Sequence, residues 1–119
     1  MGSRFTELVI DCADPERVAT FWAEVLGWRV VDRGPRGEVE LAGEPDQVTL
    51  VFVPVPEPKT LKNRVHIDVN PVGADQAQEL ERLLALGARH VDVGQGEQAW
   101  VVLADPEGNE FCLLRRRLD

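Results

Sequence analysis

Phe5 to Val31 reads FTELVIDCADPERVATFWAEVLGWRVV, and Val65 to Val91 reads VHIDVNPVGADQAQELERLLALGARHV. In the first stretch an apolar run, Phe5 to Cys12, leads through Asp14-Pro15 into Glu16 to Leu26, which stops at Gly27 before Trp28-Arg29-Val30-Val31. In the second, Val65 to Val69 leads through Asn70-Pro71 into Ala74 to Leu86, which stops at Gly87 before Ala88-Arg89-His90-Val91. The Leu-Gly pairs lie 60 positions apart, and Leu41-Ala42-Gly43-Glu44-Pro45 returns 62 positions on as Leu103-Ala104-Asp105-Pro106-Glu107. Two landmarks at nearly equal offset identify a duplicated unit.

Each unit is assigned from local chemistry. Asp14 suits a helix N-cap, Pro15 the first helical position and Gly27 the left-handed residue that ends a helix. Val18, Phe21, Trp22, Val25 and Leu26 recur at helical spacing, as do Ala77, Leu80, Leu83 and Leu84, so both stripes are assigned to the core. Val39 to Ala42, Val48 to Val53, Gln98 to Ala104 and Glu110 to Leu114 are short apolar or β-branched runs bounded by turn residues and read as strands. Asp105-Pro106-Glu107-Gly108-Asn109 is the turn joining the last two. The proline-rich Pro54 to Pro58 cannot donate regular ladder hydrogen bonds and reads as the connector. The result is an α+β chain of two tandem βαβββ modules in one domain of 1–119, with modules at 4–54 and 64–115 and a connector at 55–63.

Composition narrows the function classes. At 119 residues, 44% hydrophobic and 29% charged, one compact domain is expected. No stretch approaches the roughly 20 apolar residues of a membrane span, and no basic-then-apolar leader opens the chain, so a cytoplasmic protein without a membrane partner is expected. A net charge of -8 opposes binding to a phosphate backbone, which argues against nucleic acid. Arg115 to Arg117 form a short basic run, read as a solvated tail or subunit contact. Cys12 and Cys112 both sit in apolar runs and read as reduced thiols rather than a disulfide.

Strand alternation sorts the side chains into faces. On the first strand Leu8, Ile10 and Cys12 should pack under the helices, leaving Glu7, Val9 and Asp11 on the open face. On the fifth, Val65, Ile67 and Val69 form the buried set and His66, Asp68 and Asn70 the open one. On the last, Phe111 and Leu113 face the helices, while Glu110, Cys112 and Leu114 face away. The duplication makes Glu7 the counterpart of His66. Such a face is either a wet sheet surface or a small-molecule pocket. Val9, Cys112, Leu114 and Trp100 among the acids favour the pocket, because mixed apolar walls with a few polar groups are what such sites use. His90 reads as a surface residue.

Taken in order, Asp11-Cys12-Ala13-Asp14-Pro15, Phe21-Trp22, Leu26-Gly27-Trp28, Lys62-Asn63-Arg64-Val65-His66-Ile67-Asp68, Leu86-Gly87-Ala88 and Asp105-Pro106-Glu107-Gly108-Asn109-Glu110-Phe111 resemble the glyoxalase-like and bleomycin-resistance branch of the vicinal oxygen chelate superfamily. The resemblance spans nearly the whole chain. It implies a mixed sheet curled into a concave cup with a ligand or metal site inside, and a homodimer, as is common among relatives. Metal-dependent members carry a His on the first strand, a His on the fifth and a Glu on the last, sometimes with a further acid closing the first module. Those positions fall here on Glu7, His66 and Cys112, with the further acid near Leu50 or Val51. Only His66 matches, and Glu110 lies two residues early on the same face.

That departure sets the functional expectation. No metal and no other cofactor is expected; if a metal binds, the resemblance places it on Glu7, His66 and Cys112, where thiolate and imidazole favour zinc. The first reading is a small-molecule binder or metal-independent enzyme, a lyase or isomerase of glyoxalase type. Glu7 and His66 would be the catalytic acid-imidazole pair, suited to proton transfer beside a carbonyl. Val9, Asp11, Trp28, Asp68, Trp100, Glu110 and Cys112 would bind ligand. The alternatives are sequestration of a cationic drug or natural product by an acidic pocket, as in bleomycin-resistance relatives; divalent-metal catalysis of lyase or dioxygenase type; and nucleophilic catalysis by Cys112 with His66 as base.

Overall fold

The helix signals hold in the computed structural model, which describes residues 1–96 and 98–119. Asp14 caps α1 (Pro15–Leu26), its side chain accepting from the Arg17 amide, and Gly27 ends the helix in the left-handed region at φ 68°. In α2 (Gln76–Leu86) the cap is Asp75, whose carboxylate accepts from the Gln78 amide while the Gln78 side chain accepts from the Asp75 amide. This reciprocal capping box fixes the helix start two residues later than the sequence reading placed it.

The strands form two four-stranded sheets, one in each of two compact units, Met1–Pro58 and Lys59–Asp119. The first unit contains β1 (Glu7–Cys12), α1, β2 (Arg29–Arg33), β3 (Val39–Ala42) and β4 (Thr49–Pro54). Its sheet order is β1-β4-β3-β2. The second contains β5 (Ile67–Val69), α2, β6 (Arg89–His90), β7 (Val101–Ala104) and β8 (Glu110–Leu113), in the order β5-β8-β7-β6. In each unit the first and last strands are parallel and the other neighbours antiparallel. Identical strand order and pairing sense are what a duplicated unit produces.

Each unit has its own core. In the first, Val18, Phe21, Trp22 and Val25 of α1 are buried, as are Val39, Leu41, Leu50 and Phe52 of the sheet. Phe21 and Trp22 meet edge to face with ring centroids 5.5 Å apart, the arrangement aromatic quadrupoles prefer. In the second, Leu83, Leu103, Phe111 and Leu113 are fully buried, and Gln76 ties the start of α2 down by donating to the carbonyls of Ala99 and Leu113.

Several local expectations are corrected. Val65 is not in the buried set: β5 begins only at Ile67, where its ladder to β8 starts, and Val65 lies before it, 73% exposed. Ala77 is exposed and Leu80 and Leu84 are half-buried, so α2 commits chiefly Leu83 to the core. The strand expected from Gln98 begins at Val101. Pro54 ends β4 opposite Cys12 rather than opening the connector, and the Val55 amide continues the contact by donating to the Cys12 carbonyl.

Candidate functional site

The turn between β7 and β8 sets the register of the site. Asp105 is completely buried, and its carboxylate accepts from the amides of Glu107 and Asn109 and from the Asn109 side chain. Gly108 takes φ 88° within the turn, a conformation that a Cβ disfavours. The hairpin then pairs Val102 with Cys112 and Ala104 with Glu110, and β8 in turn pairs Cys112 with Asp68 of β5. Cross-strand partners share a face, so Val102, Cys112 and Asp68 form a row.

A cavity of about 410 Å³ opens over this row, lined by Lys62, His66, Asp68, Val93, Gln95, Trp100, Val102, Glu110, Cys112 and Leu114. Three of its polar groups, His66, Asp68 and Cys112, lie together. His66 Nε2 lies 3.1 Å from Asp68 Oδ1, and the Cys112 thiol stands close to both, on the strand position paired with Asp68. Burial first, and then the nearby Asp68 carboxylate, push that thiol above its usual value of 9.0, with Lys62 opposing but outweighed. A thiol held protonated beside an anion is a poor nucleophile, which counts against catalysis through Cys112.

Glu110 stands at the edge of the cavity but its carboxylate is engaged. It accepts from Lys59 Nζ at 3.1 Å and from the Asn63 amide at 2.8 Å. Burial pushes its pKa up, yet the Asn63 amide and the Lys59 ammonium together outweigh burial and hold it below the usual carboxylate value. The Asn63 side chain adds a bond to Asn109. The segment carrying Lys62 is thereby fastened to the start of β8.

Of the residues singled out from sequence, the structure brings His66, Asp68, Trp100, Glu110 and Cys112 to one cavity. Glu7, Val9, Asp11 and Trp28 lie in the first unit. Glu7, Val9 and Asp11 occupy the exposed face of β1, where Glu7 neighbours Thr49, whose hydroxyl donates to Glu40. Trp28 is half-buried against Gly43, and a Cβ at Gly43 would overlap its indole ring. Sequence reasoning missed Lys62, Val93, Gln95 and Val102 as lining residues. Val102 was within reach, since it shares alternation with Trp100; Val93 and Gln95 lie outside any strand, where alternation says nothing.

The metal ion that the resemblance implies needs ligands, and the donor chemistry narrows the choice. Among the described residues, His66, Asp68 and Cys112 are a group whose ligand atoms lie within 4.8 Å of one another. Glu110 is not free to join them, being held by Lys59 and Asn63.

Two helices on two mixed sheets of matching strand order, with a cavity on a sheet face, define the glyoxalase/bleomycin-resistance class of fold. Residues 7–114 match the glyoxalase-like domain family, and the chain belongs to it. No curated protein sequence matches the chain. Among solved structures it is similar to the fosfomycin resistance protein FosX from Mesorhizobium loti, at 18% identity and TM-score 0.70, with 96% of this chain and 92% of that one covered. It is similar also to a glyoxalase/bleomycin resistance protein/dioxygenase family enzyme from Burkholderia phytofirmans, at 17% identity and TM-score 0.68, covering 93% and 97%. A third is FosX from Listeria monocytogenes, a mutant complexed with manganese(II) and a dihydroxypropylphosphonic acid, at 13% identity and TM-score 0.68, covering 96% and 90%. Likeness at these identities is likeness of fold. Among the described residues no helix is long and apolar enough to cross a membrane.

Proposed function

We propose that this protein binds a small organic molecule in the cavity of the second unit, with its apolar body against Trp100, Val93, Val102 and Leu114 and a polar head at His66 and Asp68. The observation that carries this reading is the 3.1 Å approach of His66 Nε2 to Asp68 Oδ1 in the lining of a cavity walled also by Trp100, Val93, Val102 and Leu114. The Asp68 carboxylate stands against the Nε2 side of the imidazole. Asp68 therefore orients His66 to take a proton from a bound head group, the part the sequence reading gave to Glu7 and His66 jointly. The cavity supplies an aromatic wall, and aromatic side chains give contact area at low entropic cost.

The balance of charge in the cavity speaks against a preference for cationic ligands. Lys59 counters Glu110 at 3.1 Å and Lys62 lines the wall beside Asp68, so the acidity of the whole chain is not concentrated there. The test is calorimetric titration of metal-free protein with benzoate, indole-3-acetate, benzamidine and tryptamine. Binding of at least one aromatic probe, weakened roughly tenfold by Trp100→Ala through lost apolar contact and also weakened by His66→Ala, supports the reading. No binding by any of the four, or binding indifferent to both substitutions, contradicts it.

A further inference from the structure

The same cavity carries three different metal-ligating side chains close together, and strand pairing sets the spacing of two of them. Asp68 and Cys112 are direct partners in the β5–β8 ladder. His66 precedes Asp68 by two residues and joins it at 3.1 Å. One ligand atom from each lies within 4.8 Å of the other two. Donors around a tetrahedral zinc ion, with bonds of about 2.0–2.3 Å, stand roughly 3.3–3.8 Å apart, so the set lies near the spacing such an ion needs. His66 and Asp68, with side chains 43% and 47% exposed, have room to rotate.

We propose that His66, Asp68 and Cys112 form a three-donor site for a thiophilic divalent cation of the zinc class. Sulfur and imidazole donors select zinc or cobalt over magnesium and manganese, which prefer all-oxygen shells. This donor set lies wholly in the second unit, replacing Glu7 of the family-derived set with Asp68. Three protein donors leave one of zinc's four positions for a group in the cavity. The inference thus rests on the reading of that cavity as a ligand site and gives it a Lewis-acidic end.

Cobalt(II) is the probe, because thiolate ligation gives it a near-ultraviolet charge-transfer band that oxygen and nitrogen donors do not. Titration of the metal-stripped full chain is expected to give this band, saturating at one equivalent, displaced by zinc(II) and untouched by excess magnesium(II). Cys112→Ser should abolish it, and Asp68→Asn and His66→Ala should each weaken cobalt binding at least tenfold. Since Asp68 and His66 are exposed, those two variants decide the matter even if the Cys112 variant folds poorly. Absence of the band in the native chain, or cobalt binding unchanged in Asp68→Asn and His66→Ala, overturns the proposal. So does a band lost in Glu7→Gln, which would return the donors to the family-derived set. The aromatic-probe titrations use metal-free protein, so failure of the metal site and failure of the ligand site are read separately.

Discussion

Asp68 of β5 and Cys112 of β8 face each other across one rung of a parallel ladder, and burial together with the carboxylate's charge raises the thiol pKa. This pairing makes the cysteine a proton-holding group rather than a nucleophile, because a neighbouring negative charge disfavours the thiolate. Alkylation of metal-free protein by iodoacetamide at neutral pH is therefore expected to be slow at Cys112. Asp68→Asn removes the charge, lowers the thiol pKa and should speed labelling roughly threefold or more. Unchanged or slower labelling in that variant would show that burial alone controls the thiol.

Glu110 gives the site an acid-sensitive fastening. Its folded pKa lies below the usual 4.5, so the stability it contributes is present above that value and is lost as pH falls through the lowered folded pKa. Glu110→Gln should cost about 1.5–3 kcal/mol at neutral pH, the range for a hydrogen bond to a charged group, on a side chain only 12% exposed. Urea unfolding from pH 7 to pH 3 should show the difference between native and variant shrinking toward the acid end. A constant difference would contradict the account.

Asp105 is tested by truncation. Asp105→Ala leaves the amides of Glu107 and Asn109 without their carboxylate in a buried turn. A loss of about 2–3 kcal/mol in urea unfolding is expected. The register of Val102 on Cys112 depends on this turn, so aromatic-probe binding should weaken as well.

In the first unit, Gly43 is required by close approach rather than by backbone conformation. A Cβ there would overlap the Trp28 indole, so Gly43→Ala should displace the ring, change the near-ultraviolet circular dichroism and cost about 1–3 kcal/mol. Unaltered dichroism and stability would mean that Trp28 is not held as described.

The duplication, both helices and the faces of the strands were legible because each is written in residues close in sequence. Asp14, Pro15 and Gly27 bracket α1, and alternation puts His66, Asp68 and Cys112 on one side. What was not legible depends on partners far along the chain. Where β5 begins is decided by the point at which it meets β8, and so Val65 fell outside. Glu110 read as a ligand-binding acid because nothing near it in sequence announces Lys59 and Asn63, which lie about fifty residues away. Asp68, read as a binding residue, gained its central place only when the ladder set it opposite Cys112.

The most direct test of the central claim is amide and indole chemical-shift mapping by NMR on the metal-free full chain, titrated with the same four aromatic probes. A bound probe is expected to shift Asp68, Val93, Gln95, Val102, Cys112 and the Trp100 indole N–H together and saturably. Shifts that cluster elsewhere, or no saturable shifts with any probe, would contradict a ligand site in the second unit.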